Sequence, residues 1–143
     1  MTDAELLPIP PIESATDPVF SAVDLRQRWR ALMGPLGFGR RLLWVSFLGP
    51  DRRLIKTLSQ LPIGPRPQHR ALKNLMTSLR SLLDDMAPGT TVAMLLTGPG
   101  QGTISPADRV WSKSLTEIAD RCAVPIEPIF RANDESLVQV TPA

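Results

Sequence analysis

Apolar residues recur along this chain with two periods, one helical and one extended. Leu25, Trp29, Leu32 and Met33 fall at i, i+4, i+7 and i+8, which predicts an amphipathic helix from about Ala22 to Met33. Ser21 followed by Asp24 resembles a capping box at its start, and Gly34-Pro35 stops it. The apolar runs Leu42 to Leu48 and Leu54 to Leu61 read as strands, and Gly49-Pro50-Asp51 between them makes a hairpin turn. Pro62, Pro65 and Pro67 mark a loop. Leu72, Leu75, Met76, Leu79, Leu82, Leu83 and Met86 then follow the helical period over about Gln68 to Met86. Thr91 to Leu96 predicts a strand buried on both faces. A glycine-rich loop, Gly98-Pro99-Gly100-Gln101-Gly102, leads to a helix from Ser105 to about Cys122 that turns Trp111, Leu115, Ile118, Ala119 and Cys122 inward. Ile126 to Phe130 and Leu137 to Val140 read as two last strands. The expected order is α-ββ-α-β-α-ββ, an α/β (α+β) fold in a single domain over residues 21–143, without internal repeats.

Residues 1–20 follow another rule. Pro8, Pro10, Pro11 and Pro18 remove donors and oppose helix, so an extended, disordered, acidic arm is expected there. Its apolar side chains Leu7, Ile9 and Ile12 are candidates for contact with the domain or a partner.

Length and composition change the picture little. The chain has 143 residues, 43% of them hydrophobic, enough for one core. No run of 18 apolar residues occurs, and the N-terminus lacks a basic stretch followed by an apolar one, so neither a membrane span nor a signal peptide is expected. The single cysteine, Cys122, excludes an intramolecular disulfide and fits a cytoplasmic location.

Charge is uneven behind a net +2. Residues 1–21 hold four acids and no base. Residues 22–80 hold twelve bases against Asp24 and Asp51. Residues 81–143 hold four bases against eight acids. Arg40, Arg41, Arg52 and Arg53 belong to the basic block and are candidate contacts for nucleic acid or an acidic protein surface. The competing reading is that these bases are solvated faces of a hairpin and two helices. No helix-turn-helix or zinc-finger pattern is present, and tyrosine is absent, so stacking platforms for bases are scarce.

The segment Leu95 to Asp108 carries the informative motif. Ser105-Pro106-Ala107-Asp108 is a Ser-x-x-Asp, with Gly100 upstream. This segment resembles the signature of the JAB/MPN (JAMM) metalloprotease-like family, nearest its RadC branch. The family pattern is His-x-His, seven residues, then Ser-x-x-Asp, with a glutamate further upstream. Counting back puts the two histidine positions on Leu95 and Thr97. Gly100, Ser105 and Asp108 fall in register with the RadC form. The resemblance covers about residues 40–140 and implies a cytidine-deaminase-like three-layer domain.

It also implies a zinc ion held by two histidines and the aspartate, with the glutamate as general base. This sequence departs from that set. Leu95 has no lone pair, Thr97 is a poor zinc ligand, and no Glu occurs between Glu13 and Glu117. No metal, cofactor or catalytic residue is therefore expected. Ser at N-cap, Pro at N1 and Asp at N3 explain Ser105 and Asp108 as a helix start. The loop Gly98-x-Gly100-x-Gly102 lacks the Lys-Ser/Thr of a phosphate loop. Cys122 and His69, the sole histidine, are single residues rather than a pair in sequence.

Two functions stay open. One is a non-catalytic JAB/MPN-like module that binds a protein, a second copy of itself included. The other is a nucleic-acid-associated protein that uses the basic 22–80 segment on the phosphate backbone.

Overall fold

The computed structural model describes residues 9–34 and 36–140. Three helices and a five-stranded mixed sheet make up its regular core. A 3-10 turn at Ile12–Thr16 comes first. Then follow α1 (Ala22–Met33), β1 (Leu42–Leu48), β2 (Leu54–Pro62), α2 (His69–Asp84), β3 (Thr91–Thr97), α3 (Pro106–Arg121), β4 (Phe130–Ala132) and β5 (Leu137–Gln139).

Local chemistry sets the helix ends. Ser21 Oγ accepts from the Asp24 backbone N–H at 3.1 Å, and the Asp24 carboxylate accepts from Phe20 N–H at 2.9 Å. Gly34 ends α1 at φ 69°, a left-handed conformation that costs glycine little. The α2 helix shows no side-chain cap at Gln68 and rests on its apolar face, where Leu72, Met76, Leu79 and Leu83 are buried.

The sheet runs β2-β1-β3-β4-β5, antiparallel except where β3 meets β4. Side chains alternate across it. Leu43, Val45, Phe47, Val92, Met94 and Leu96 pack with α2 and α3 on one face. Trp44, Leu48, Ala93, Leu95, Phe130 and Ala132 pack with α1 on the other. The rings of Trp29 and Trp44 meet edge to face at 6.5 Å. Helices thus cover both faces of the sheet in three layers.

Two expectations change. Within the arm expected to be disordered over 1–20, Ile12–Thr16 form a 3-10 turn and two side chains dock on the domain, while Leu7 lies outside the described residues. Ala15 and Val19 are buried, and Val19 joins the α1 core. The physical reason is a reciprocal tie, one bond from the backbone and one from a side chain: Val19 N–H donates to Arg52 O at 2.7 Å, and Arg52 Nε donates to Val19 O at 2.8 Å. Prolines oppose helix, but they do not oppose docking.

The strand expected at Ile126 to Phe130 lies later, at Phe130–Ala132. Ile126 makes one isolated parallel bridge to Val92. Pro128 then interrupts the ladder, since proline has no N–H to give. Pairing with β3 resumes at Leu95 and Phe130.

Candidate functional site

The motif segment spans the end of β3, the glycine loop and the start of α3. Leu95 is fully buried in the α1 core. Thr97 shares its face and is 3% exposed. Its Oγ1 accepts from Trp44 Nε1 at 2.9 Å and lies 3.5 Å from Leu42 O. The hydroxyl is therefore spent on a buried indole.

At the start of α3 the capping box is complete. Ser105 Oγ accepts from Asp108 N–H at 3.1 Å, and Asp108 Oδ2 accepts from Ser105 N–H at 3.2 Å. Pro106 opens the helix, where its missing N–H costs nothing. The serine hydroxyl thus serves the backbone, and Asp108 is buried.

Two guanidiniums compensate the Asp108 carboxylate. Arg41 Nη2 lies 3.5 Å from Oδ1, and Arg131 Nε lies 3.7 Å from Oδ2. Arg131 is 3% exposed. Its β4 neighbours Phe130 and Ala132 point into the α1 core, so alternation sends Arg131 to the α3 face. Its Nη1 donates to Ser136 Oγ at 3.1 Å. Leu95 and Thr97 thus face α1, whereas the ion partner of Asp108 on β4 faces α3.

The glycine loop is tied down by acids. Gly100 (φ 129°) and Gly102 (φ 89°) adopt backbone conformations that side-chain-bearing residues rarely reach. Gly100 N–H donates to Asp134 Oδ2 at 2.9 Å, and Gly102 N–H donates to Glu135 Oε1 at 2.6 Å. Phe38 N–H also donates to Asp134, at 3.1 Å. The bonds from Gly100 and Phe38 hold the Asp134 carboxyl below the usual range. Asn133 builds the turn beneath, accepting from Glu135 N–H at 3.0 Å and Ser136 N–H at 2.9 Å.

Arg41, Gly98, Ser105, Asp108, Arg131 and Asn133 are among the residues that enclose a polar cavity of about 250 Å³. The zinc implied by the family resemblance does not fit these residues. Leu95 offers no donor atom, Thr97 Oγ1 serves Trp44, and Asp108 sits between two cations. Among the described residues no three His, Cys, Asp or Glu side chains gather to hold an ion. His69 is exposed at the start of α2, and Cys122 is half-buried at the end of α3.

The other candidate arginines separate. Arg40 is exposed. Arg52 binds Glu127 and Val19 O, and Arg53 Nη1 donates to Thr16 O at 3.2 Å. Sequence reasoning missed Arg131, Asn133 and Asp134. An arginine inside the apolar run Ile129-Phe130-Arg131-Ala132 was a signal, because a charge there must find a partner.

A second surface lies at the sheet edge. Among the described residues no strand pairs with the outer side of β2. Ile55, Leu58 and Leu61 on it are 38%, 37% and 37% exposed. A groove of about 430 Å³ beside it is lined by Ile12, Ala15, Leu32 and Leu58. Another of about 470 Å³ is lined by Leu61, Ile63, Leu75 and Trp111. Ile9 and Ile12 are 41% and 59% exposed. No family model matches the chain, and no curated protein matches it.

Proposed function

We propose that this chain is a non-catalytic JAB/MPN-like module that binds another protein along the open edge of its sheet. The β2 edge carries this reading: nine residues long, unpaired on its outer side among the described residues, with Ile55, Leu58 and Leu61 exposed. An extended partner segment can add main-chain hydrogen bonds there and seat side chains in the flanking grooves. The non-catalytic part is supported by Asp108, whose carboxylate serves a capping box and two guanidiniums.

The nucleic-acid alternative draws less support from the basic segment. Arg28 donates to Asp17 O and Pro18 O, Arg53 to Thr16 O, and Arg80 to Ala123 O. These arginines hold the chain's own carbonyls and offer less of one basic face.

The test combines native mass spectrometry and elemental analysis of untagged protein with capture of partners by wild type and by Leu58→Lys. Loss of a dimer, or of captured proteins, in a variant that stays folded supports edge docking. Equal capture by both proteins contradicts it. One stoichiometric metal per chain contradicts the non-catalytic part. Duplex DNA binding that falls steeply with salt favours the alternative.

A further inference from the structure

We propose that the partner on the β2 edge is a second copy of this chain, paired antiparallel about a two-fold axis at Leu58, so that the two sheets run on as one. This rests on the edge-docking reading and names its partner. The two ends of β2 fix which backbone groups are free. Ile63 N–H donates to Arg41 O at 3.1 Å, and Gly49 N–H donates to Arg53 O at 2.9 Å. Odd-numbered residues therefore turn their amides and carbonyls to β1. From Leu58 to Leu54 the strand takes four steps where β1 takes two, from Ser46 to Leu48, and the two extra steps preserve this alternation. Lys56, Leu58, Gln60 and Pro62 thus turn their backbone groups outward.

The strand is complementary to itself under that axis. Leu58 meets Leu58, Ile55 meets Leu61, and Lys56 meets Gln60. The exposed apolar residues Ile55, Leu58 and Leu61 then all lie opposite one another. Lys56 is the only charged residue between Leu54 and Pro62, and this register keeps the two lysines apart. An axis at Lys56 would set like charges directly opposite. An axis at Gln60 would leave Ile55 without a strand residue across from it. Pro62, which has no N–H to give, falls at the end of the ladder.

Preorganisation favours a second copy over a loose peptide. β1 already holds β2 extended, so two such edges meet without the ordering cost that an unfolded segment bears. The opposite edge of the sheet offers no such match. There β5 is three residues long, and Leu137 O accepts from Arg26 Nε at 2.7 Å. Grooves of about 430 and 470 Å³ flank β2 and add packing beyond the strand pair. A stable dimer needs that addition, since it buries about 1,200 Å² or more.

The experiment is sedimentation equilibrium of the full chain over a concentration series, in wild type, Leu58→Lys and Leu58→Cys. Circular dichroism and thermal melting establish that each is folded. Wild type should pass from monomer to dimer. Leu58→Lys sets two like charges at the axis and should weaken the dimer about tenfold or more. Leu58→Cys should form a disulfide with its own counterpart in air, mapped by mass spectrometry as a linked peptide pair at position 58. Opposed residues at such a position lie about 5.5 Å apart at Cα, within disulfide reach. Wild type, whose one cysteine is Cys122, is the control for linkage. A monomer at every concentration would overturn the second copy but not edge docking, which fails only if wild type and Leu58→Lys capture other proteins equally. A dimer untouched by folded Leu58→Lys would place the copy elsewhere on the molecule and overturn the proposal. So would a folded Leu58→Cys dimer without the link at position 58, a result that counts even where Leu58→Lys unfolds.

Discussion

Arg52 and Glu127 meet across 75 residues of chain, with Nη1 3.1 Å from Oε2 and Nη2 3.3 Å from Oε1. Thr91 Oγ1 donates to the same carboxylate at 2.7 Å. The Arg52 backbone is left-handed at φ 64°, an uncommon conformation for a residue with a side chain. Its contacts to Val19 and Glu127 hold it there. One side chain thus joins the hairpin turn, the N-terminal segment and the stretch before β4.

This pair makes a prediction about acid. Burial raises the Glu127 carboxyl, but the Arg52 hydrogen bond, the Thr91 hydrogen bond and the Arg52 charge together outweigh it. They hold the group below its ordinary value of 4.5. A carboxyl depressed by folding adds stability above its unfolded value, and that stability is lost as pH falls through the folded value. Glu127→Gln should therefore lose about 1 kcal/mol at neutral pH, discounted for the partly exposed arginine. Its melting temperature should also fall less steeply than wild type once the pH drops below 4.5. Parallel acid limbs in the two proteins would contradict the pairing.

Ser105→Ala should cost about 0.5–2 kcal/mol in urea unfolding, the usual loss for an N-cap. The Asp108 N–H loses its acceptor, while Pro106 still favours the helix start. An unchanged midpoint would mean that the cap is not made in solution.

Leu95→Ala should cost about 2–5 kcal/mol, because the site is fully buried and surrounded by β1, β3 and β4 side chains. Thermal or urea unfolding measures it. A loss under half a kilocalorie, roughly the level of a surface change, would remove Leu95 from the core.

Thr97→Val keeps the shape but leaves Trp44 Nε1 without its acceptor in a buried position. The expected cost is about 1–3 kcal/mol, that of an unmade buried hydrogen bond. Tryptophan fluorescence should shift with it. A neutral substitution would show that the indole finds another acceptor.

Much of the frame was legible because local rules decide it. The period of Leu72, Met76, Leu79 and Leu83 places α2, and Ser105-Pro106-Ala107-Asp108 starts α3 as a capping box. Alternation in β1 and β3 splits their residues between the two cores. The β4 register was not legible, since Ile126 to Phe130 is as apolar as a strand and only pairing with β3 shows the break at Pro128.

The site was legible in part. Gly100, Ser105 and Asp108 stood out by spacing, and the missing ligands at Leu95 and Thr97 were plain from side-chain chemistry. Arg41 read as one more base in a charged block, and Arg131 drew no notice, yet both lie beside Asp108.

The sequence by itself determined the element types, the helix caps and the lack of a histidine pair at Leu95 and Thr97, because these depend on side-chain chemistry and neighbours a few residues away. Only the tertiary structure decided where charge goes. Arg131 reaches Asp108, Arg52 reaches Glu127 and Asp134 reaches Gly100 across 23, 75 and 34 residues. The basic segment is consumed in part inside the fold, because partly buried carbonyls and carboxylates need donors and the nearest guanidiniums supply them.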